Sequence, residues 1–123
     1  MRLNKLQKTA VTALEDIKAR DITVLDVRKL TSLYDTLIVA SAESNRQVKA
    51  LARHVRDKLA QAGATIIGVE GEEAGEWVLV DAGDIVVHVM QPNVRAYYNL
   101  EELWAPPQPV RRAKPKAGAR AAA

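Results

Sequence analysis

The strongest constraint on the fold of this chain is a pair of β-strand patterns separated by only three residues. Residues 77–81 and 85–90 are both rich in branched apolar side chains, and a short segment containing Gly83 lies between them. Strands joined by so short a connection pair in the antiparallel sense, because a parallel crossover needs about a dozen residues. The sequence therefore predicts an antiparallel hairpin over residues 77–90.

The turn of this hairpin decides which side chains share a face, because a slip of one residue exchanges the two faces of a strand. A two-residue turn at 82–83 pairs Trp77 with His88 and places Met90 nearby. A three-residue turn pairs Trp77 with Val89 and puts His88 on the opposite face. We favour the first turn, because it gathers Trp77, His88 and Met90 into one amphipathic patch. It also leaves an apolar core face, which consists of Val78, Val80, Ile85, Val87 and Val89.

Periodicity elsewhere predicts two long helices and three more strands. Apolar residues at spacings of three and four indicate amphipathic helices over residues 3–20 and between Ser44, a suitable N-cap, and Gly63. The segments 21–27, 36–40 and 65–69 have strand patterns. Because the second of these is an uninterrupted apolar run, it is typical of a central strand buried on both faces.

A last helix is predicted over residues 94–103, with Asn93 as its cap. Helical spacing would place Tyr97, Leu100 and Trp104 on the core side and turn Tyr98 outward.

The predicted order is α-β-β-α-β-β-β-α, which defines the α/β class. The helix between the second and third strands is long enough for a parallel crossover, whereas the last two strands are antiparallel. A mixed five-stranded sheet flanked by helices satisfies both constraints. One domain is expected over residues 1–105, and the Pro, Ala, Lys and Arg composition of residues 106–123 predicts a disordered basic tail.

The positive charge of the chain is concentrated in that tail. Five cations and no acid follow Trp104, and removing these five charges from the net charge of +3 leaves residues 1–110 at −2. The body also carries an acidic cluster at Glu70, Glu72, Glu73 and Glu76. We therefore expect no basic nucleic-acid-binding face in the body, and we assign any contact with RNA to the tail.

Composition narrows the cellular setting as well. The chain has no cysteine, which excludes disulfides and thiolate zinc sites and fits a reducing cytoplasm. It has no apolar run of about 18 residues and no apolar signal-peptide core near its first residue, so neither a membrane span nor a secretory signal is expected.

The common catalytic constellations are missing. Neither glycine-rich phosphate motif occurs, and His54 and His88 lack the spacing of metal ligands, so we expect no cofactor and no metal. Asp81 and Asp84 could hold magnesium in a nucleotidyl or phosphoryl transferase, but we prefer to interpret them as turn residues. Transferase activity and RNA binding driven by the tail stay open as alternatives.

The large side chains indicate a protein interface. In a chain without Phe, an outward Tyr98 beside Trp77 and Met90 is a composition suited to protein contacts. Periodicity alone does not separate this interpretation from the simpler one, in which Trp77 covers the sheet edge.

The sequence resembles the ribosomal silencing factors, or Iojap family, from about Leu6 to Trp104. The resemblance is strongest over residues 77–90, WVLVDAGDIVVHVM, a long and specific block. Further matching segments are Asp35–Val39, Ser44–Val48, Val69–Gly71 and the residues Arg95, Tyr98, Leu100, Glu101, Leu103 and Trp104.

This resemblance implies a nucleotidyltransferase-like fold without the catalytic pattern of those enzymes. It also implies binding to the large ribosomal subunit through ribosomal protein number fourteen, which blocks joining of the small subunit when nutrients are short or in stationary phase. A homodimer is implied for the free protein. The implied contact residues are Trp77, Asp81, Met90 and Tyr98, with Gly83, His88 and Leu100 in support.

Overall fold

The structure is a computed structural model and describes residues 3–104. Its elements in chain order are α1 (Lys5–Asp16), β1 (Arg20–Asp26), β2 (Thr36–Ser41), α2 (Asn45–Gln61), β3 (Gly68–Glu70), β4 (Trp77–Asp81), β5 (Ile85–Met90), α3 (Pro92–Tyr98) and α4 (Leu100–Trp104). The predicted order is confirmed, except that the last helix is divided in two. The predicted tail, residues 106–123, lies outside the described residues.

The five strands form one mixed sheet in the order β1-β2-β5-β4-β3. The β2–β5 pair is parallel, and the other three pairs are antiparallel. Helix α2 connects β2 to β3, which lies at the far edge of the sheet and runs parallel to β2. The β4–β5 hairpin lies between β2 and β3. The predicted mixed α/β sheet is therefore confirmed.

One face of the sheet is covered by α1 and α2. The predicted apolar stripe of α2 is confirmed, and it packs with α1 against the core face of the hairpin. All the residues of β2 are buried, as expected for a central strand. The apolar residues of α2 that face the sheet each have 0% of their surface exposed, and they are Val48, Leu51, Ala52, Val55 and Leu59.

The other face is covered only in part, by the short helices α3 and α4, which we call the C-terminal strap. Its buried cluster consists of Val27, Leu37, Val39, Val86 and Met90. Partly buried residues packed against this cluster include Trp77, Leu79, Val94 and Leu100. Since the two strap helices contain only seven and five residues, much of the face over β4 and β5 is left without a covering helix.

The hairpin has neither of the two registers considered from the sequence, although the favoured face assignment is correct. Trp77 pairs with Met90, and the amide of Ala82 donates to the carbonyl of Ile85 at 2.9 Å. The two-residue loop is therefore Gly83-Asp84 and not Ala82-Gly83. This shift moves every pair by two residues, and because side chains alternate with a period of two, both faces keep their predicted members.

The ends of three other elements differ from the predictions. Helix α1 ends at Asp16 rather than at the predicted residue 20. Two residues after its end, Lys18 takes a left-handed φ of 62°, which the helix could not have continued through. Strand β3 begins at Gly68, three residues later than predicted. A left-handed residue and an edge strand of three residues leave little trace in apolar periodicity.

The predicted last helix is wrong in its cap, its continuity and one of its faces. Gln91 is the N-cap with Pro92 at the first helical position, so Asn93 is not the cap. Asn99 adopts a left-handed φ of 49° and divides the helix. Tyr97 was predicted to face the core, yet 82% of its surface is exposed, because the short α3 does not continue across the sheet.

The charges of the body are unevenly distributed despite its small net charge. Helix α2 exposes basic side chains between its buried positions, four glutamates lie within residues 70–76, and Asp16 and Asp57 are exposed on the helices. The net charge of the body therefore does not describe how its charges are distributed, and the expectation that any RNA contact lies in the tail stays a prediction. Within residues 3–104, no helix is long and apolar enough to cross a membrane.

Candidate functional site

The uncovered part of the sheet is centred on Trp77, His88 and Tyr98. The indole Nε1–H of Trp77 donates a hydrogen bond to Nδ1 of His88 at 2.9 Å. The ring of Tyr98, from the strap, lies on Trp77 with 4.8 Å between ring centroids. The three side chains thus form one aromatic cluster that joins the hairpin to the strap.

His88 is neutral in this cluster. Burial lowers the pKa of His88 to about 4. The hydrogen bond from Trp77 requires a free lone pair on Nδ1, so the ring proton is on Nε2. The cluster therefore presents an uncharged, largely apolar surface near neutral pH.

A close backbone approach fixes the position of Trp77. Gly71 has a φ of +88°, and a Cβ atom added there would lie 2.1 Å from the carbonyl oxygen of Trp77. Only glycine can occupy this position without moving the chain. The acidic loop is thus closed against the first residue of β4.

Two connected depressions lie beside the aromatic cluster. The larger has a volume of about 520 Å³ and the smaller about 260 Å³, and both are lined by Leu79 and His88. Leu33 and Ile67 line the rim of the larger depression and are 78% and 66% exposed. We call this surface, together with Trp77 and Tyr98, the docking face.

The charged groups of the docking face are acidic. Asp81 and Asp84 line the larger depression and Glu70 the smaller, and within residues 3–104 no Lys or Arg lines either one. Partial burial, with the nearby carboxylate of Asp81, raises the pKa of Tyr34 at the same rim. The face therefore combines exposed apolar side chains with negative charge.

Asp81 is a turn residue, as its sequence position indicated. Its Oδ1 accepts a hydrogen bond from the Gly83 amide at 3.0 Å. The carbonyl oxygen of Asp84 accepts from the amides of Asp35 and Thr36 at 2.8 and 3.0 Å, which ties the turn to the start of β2. The side chain of Asp81 and the backbone carbonyl of Asp84 therefore stabilise the hairpin end.

The structure brings together most of the site residues named from the sequence. Trp77, Asp81, Gly83 and His88 lie on the hairpin side of the docking face, and Tyr98 lies above them on the strap. Leu100 belongs to the strap and is partly buried where the strap packs against the sheet. Met90 is completely buried and so supports the face from below without offering contact surface.

Sequence reasoning missed four large side chains that lie at least partly exposed on the docking face. They are Leu33, Tyr34, Ile67 and Leu79. Leu33 and Tyr34 stand in a loop dominated by turn-forming residues, where large apolar groups have no core to fill, and this signal could have identified them. The inclusion of Ile67 depends on where β3 begins, which the sequence placed too early.

Comparisons with known proteins agree with this architecture. The family model described as "Ribosomal silencing factor during starvation" matches residues 1–123. Ribosomal silencing factor RsfS of Chromobacterium violaceum is 59% identical over 109 residues, which cover 89% of each chain. The chain belongs to the ribosomal silencing factor (RsfS) family.

A solved structure and a more distant relative extend this family assignment. A crystal structure of a Chromobacterium violaceum protein aligns with a TM-score of 0.82 at 56% identity and covers 93% of this chain and 95% of that one. A mouse protein named "Mitochondrial assembly of ribosomal large subunit protein 1" is 32% identical over 97 residues, which cover 76% of this chain and 42% of the mouse protein.

In this RsfS-family chain, Arg95 fastens the strap to the sheet. Its guanidinium donates to the Asp21 carbonyl at 2.6 Å, to Ser41 Oγ at 2.8 Å and to Thr23 Oγ1 at 3.0 Å. It also pairs with Glu101 of α4 at 2.7 Å. Because β1 is irregular between Arg20 and Thr23, the arginine supplies a donor to a carbonyl beside this irregularity. The strap, and with it Tyr98, is thereby held over the hairpin.

Proposed function

We propose that this chain binds the large ribosomal subunit through its docking face and sterically prevents the small subunit from joining, which represses translation when nutrients are limiting. The observation that carries the proposal is an exposed, acid-rimmed apolar surface around Trp77, His88 and Tyr98 in a member of the ribosomal silencing factor family. No bond is made or broken in this mechanism.

The chemistry of the docking face favours a protein rather than RNA as its direct partner. RNA phosphates would be repelled by Asp81, Asp84 and Glu70, whereas a basic protein surface would be attracted. Aromatic and apolar anchors in a central pocket with a polar rim are typical of protein interfaces. Ribosomal protein number fourteen, which the resemblance implies, is the partner that we propose.

The name of the mouse relative, which refers to assembly of the ribosomal large subunit, supports the choice of subunit. A stable interface of standard size buries about 800 Å² on each partner. A bridge surface of the large subunit covered to that extent by the docking face is no longer accessible to the small subunit.

Matched leucine variants test the docking face. Leu33 lines the larger depression, whereas Leu30 belongs to the same loop, is also exposed and does not line it. We expect Leu33→Asp to weaken binding to purified large subunits at least about tenfold, since it replaces an apolar contact at the rim of the depression with a charge that the complex would have to desolvate. Leu30→Asp should bind within about twofold of the parent chain.

The readout is subunit joining, followed by light scattering and by sucrose-gradient sedimentation. The parent chain in excess should suppress joining, and Leu33→Asp should restore it. If the parent chain leaves joining at its normal rate, the silencing mechanism is wrong. If both leucine variants bind equally well, the factor binds through another surface.

Tyr98→Ala tests the aromatic part of the same face. About half of the Tyr98 surface is exposed and its ring rests on Trp77, so its removal should not unfold the chain. A central interface tyrosine contributes about 2 kcal/mol, and we expect roughly thirtyfold weaker binding. A crosslinker placed at position 67 should identify the contacted ribosomal protein, and a crosslink only to ribosomal RNA would contradict the proposed partner.

A further inference from the structure

Helix α2 carries a stripe of basic side chains on its solvent side. Arg46, Lys49, Arg53 and Arg56 follow one another at spacings of three and four residues, which places them along one side of the helix over about 15 Å. We call these four residues the α2 stripe. The buried positions of α2 lie on a different side, so the stripe serves no core contact.

The charges of the α2 stripe are mostly uncompensated. Arg56 pairs with the adjacent Asp57 at 3.0 Å, and within residues 3–104 neither Arg46, Lys49 nor Arg53 forms an ion pair. The methylenes of Lys49 lie near Gly75, where the acidic loop meets the first turn of the helix. That loop limits the stripe at one end, and Arg53 and Arg56 continue it beyond the loop.

The α2 stripe and the docking face lie on opposite sides of the molecule. Helix α2 packs on the sheet face formed by Val78, Val80 and Val87, whereas the docking face is formed by the alternate residues of the same strands. The sheet side is therefore apolar with an acidic rim, and the helix side carries the α2 stripe. Both can be occupied at the same time.

We infer that the α2 stripe is a second binding surface, and that its partner is the phosphodiester backbone of RNA. A linear row of cations without aromatic side chains among them suits phosphate contacts and offers no stacking or base-edge recognition. Binding to the α2 stripe is consequently independent of the RNA sequence, and it weakens as the salt concentration rises. This inference goes beyond the proposed function, because RNA binding by the stripe does not require the docking face.

A groove between α1 and α2, lined by Lys5, Lys8 and Lys58, is a weaker candidate for the same partner. Asp16 lines this groove and reduces its positive potential, and it also holds His54 at 3.0 Å. The α2 stripe extends along about 15 Å of the helix surface, and among the described residues only one of its four cations has an acidic partner. The basic tail is the stronger competitor, because it carries five cations without an acid.

Charge-matched triple variants of the full chain separate the stripe from the tail. The stripe variant is Arg46→Gln with Lys49→Gln and Arg53→Gln, and the tail variant is Arg111→Gln with Arg112→Gln and Lys114→Gln. Each removes three positive charges, and glutamine preserves helix propensity in α2. Binding of a fluorescein-labelled 20-nucleotide oligo(U) is measured by anisotropy across a series of salt concentrations.

We expect the stripe variant to bind oligo(U) about tenfold more weakly at 100 mM salt. The slope of log K against log salt should fall by about 2, since each single-strand phosphate contact contributes about 0.7. Leu33→Asp should bind oligo(U) as the parent chain does, so this result is independent of ribosome binding.

Three results would overturn the inference. They are a parent chain that does not bind oligo(U) at 50 mM salt, a stripe variant with the slope of the parent chain, and a labelled poly-glutamate peptide that binds the stripe more tightly than oligo(U). The second of these, together with a reduced slope for the tail variant, would assign RNA binding to the tail.

Discussion

The two faces of one sheet serve different purposes in this molecule, although the same strands supply both. On the first face, helices of 12 and 17 residues bury every apolar group of the hairpin beneath them. On the second face, the strap of two short helices covers Met90 and Leu37 but leaves Leu79 and His88 beside open depressions. The length of the covering helix therefore determines whether a sheet face becomes core or contact surface.

The two faces also differ in how far their side chains are exposed to solvent. The first face contributes stability through burial of apolar area. The uncovered part of the second face keeps Trp77, Leu79 and His88 partly exposed, and a hydrogen bond joins Trp77 to His88. We expect substitutions on the first face to act on folding and those on the second to act on binding.

Leucine-to-alanine substitutions give the largest contrast between the faces. Leu51, on the sheet-facing side of α2, is completely buried, so Leu51→Ala should lower the free energy of unfolding by about 2–5 kcal/mol. Leu33→Ala, on the docking face, should lower it by less than about 0.5 kcal/mol. Urea denaturation measures both values. Equal losses would mean that Leu33 is packed in the folded chain, and the distinction between the faces would fail.

Protonation of His88 should distinguish the second face by its pH dependence. Because the folded pKa of His88 is lowered from 6.5 to about 4, the folded chain binds fewer protons than the unfolded chain between these values. The contribution of neutral His88 to the free energy of unfolding is complete above about pH 6.5 and is lost as the pH falls toward 4. A shift of this size corresponds to at most about 3 kcal/mol.

The measurement is the free energy of unfolding between pH 4 and 7.5 for the parent chain, His88→Asn and His54→Asn. Asparagine at 88 can still accept from Trp77 but does not titrate, so this variant should show a flatter profile above pH 4. His54→Asn serves as the control, because it lies between the helices of the other face. A parent-like profile in His88→Asn would show that His88 is solvated.

The face assignment of the hairpin was predictable, whereas its register was not. Alternation between Val78, Val80 and their outward neighbours is a property of period two, so it survives any shift by an even number of residues. The register depends on which two residues form the turn, and both Ala82-Gly83 and Gly83-Asp84 contain the required glycine. Local sequence therefore determined the docking face without determining its pairs.

Two other features depended on geometry that the sequence does not encode locally. Asn99 divides the last helix by taking a left-handed conformation, which Asn tolerates but does not demand. The resulting strap is short enough to leave Tyr97 exposed. Helical periodicity separates the four cations of the α2 stripe from the buried positions, but the net charge of the body does not show how its cations and acids are distributed over the surface.

Arg95 should contribute more to the second face than an exposed arginine does. Its side chain is 12% exposed and that of its partner Glu101 is 29% exposed. Arg95→Ala leaves Glu101 and the Asp21 carbonyl without this donor, and we expect a loss of about 2 kcal/mol in the free energy of unfolding. Arg28→Ala, which breaks an exposed pair with Asp26, should cost less than about 1 kcal/mol.

Loss of the strap should also appear in binding. Because Arg95 positions the helix that bears Tyr98, Arg95→Ala should weaken large-subunit binding more than its stability loss predicts at temperatures where the chain is folded. In a Trp104→Phe background, tryptophan fluorescence reports whether Trp77 becomes more exposed. An unchanged spectrum with normal binding would mean that the strap keeps its place without Arg95.

The smallest expected effect concerns the turn that assigns residues to the two faces. Gly83 has a φ of +82° at the first position of the two-residue loop, where an L side chain is strained by about 1–2 kcal/mol. Gly83→Ala should therefore lower the free energy of unfolding by about 1 kcal/mol. Gly68→Ala is the matched control, since its backbone is not left-handed and an added Cβ meets no atom within 4 Å.

If Gly83→Ala were neutral, the loop would have moved to another pair of residues. A movement by one residue would bring Trp77 to the helix-covered face and send Val78 outward, whereas a movement by two would keep both faces. Binding to the large subunit separates these outcomes, because only the first removes the aromatic cluster from the docking face. The turn thus determines the strand pairs, whereas the burial of Val78, Val80 and Val87 determines which side of the sheet can bind a partner.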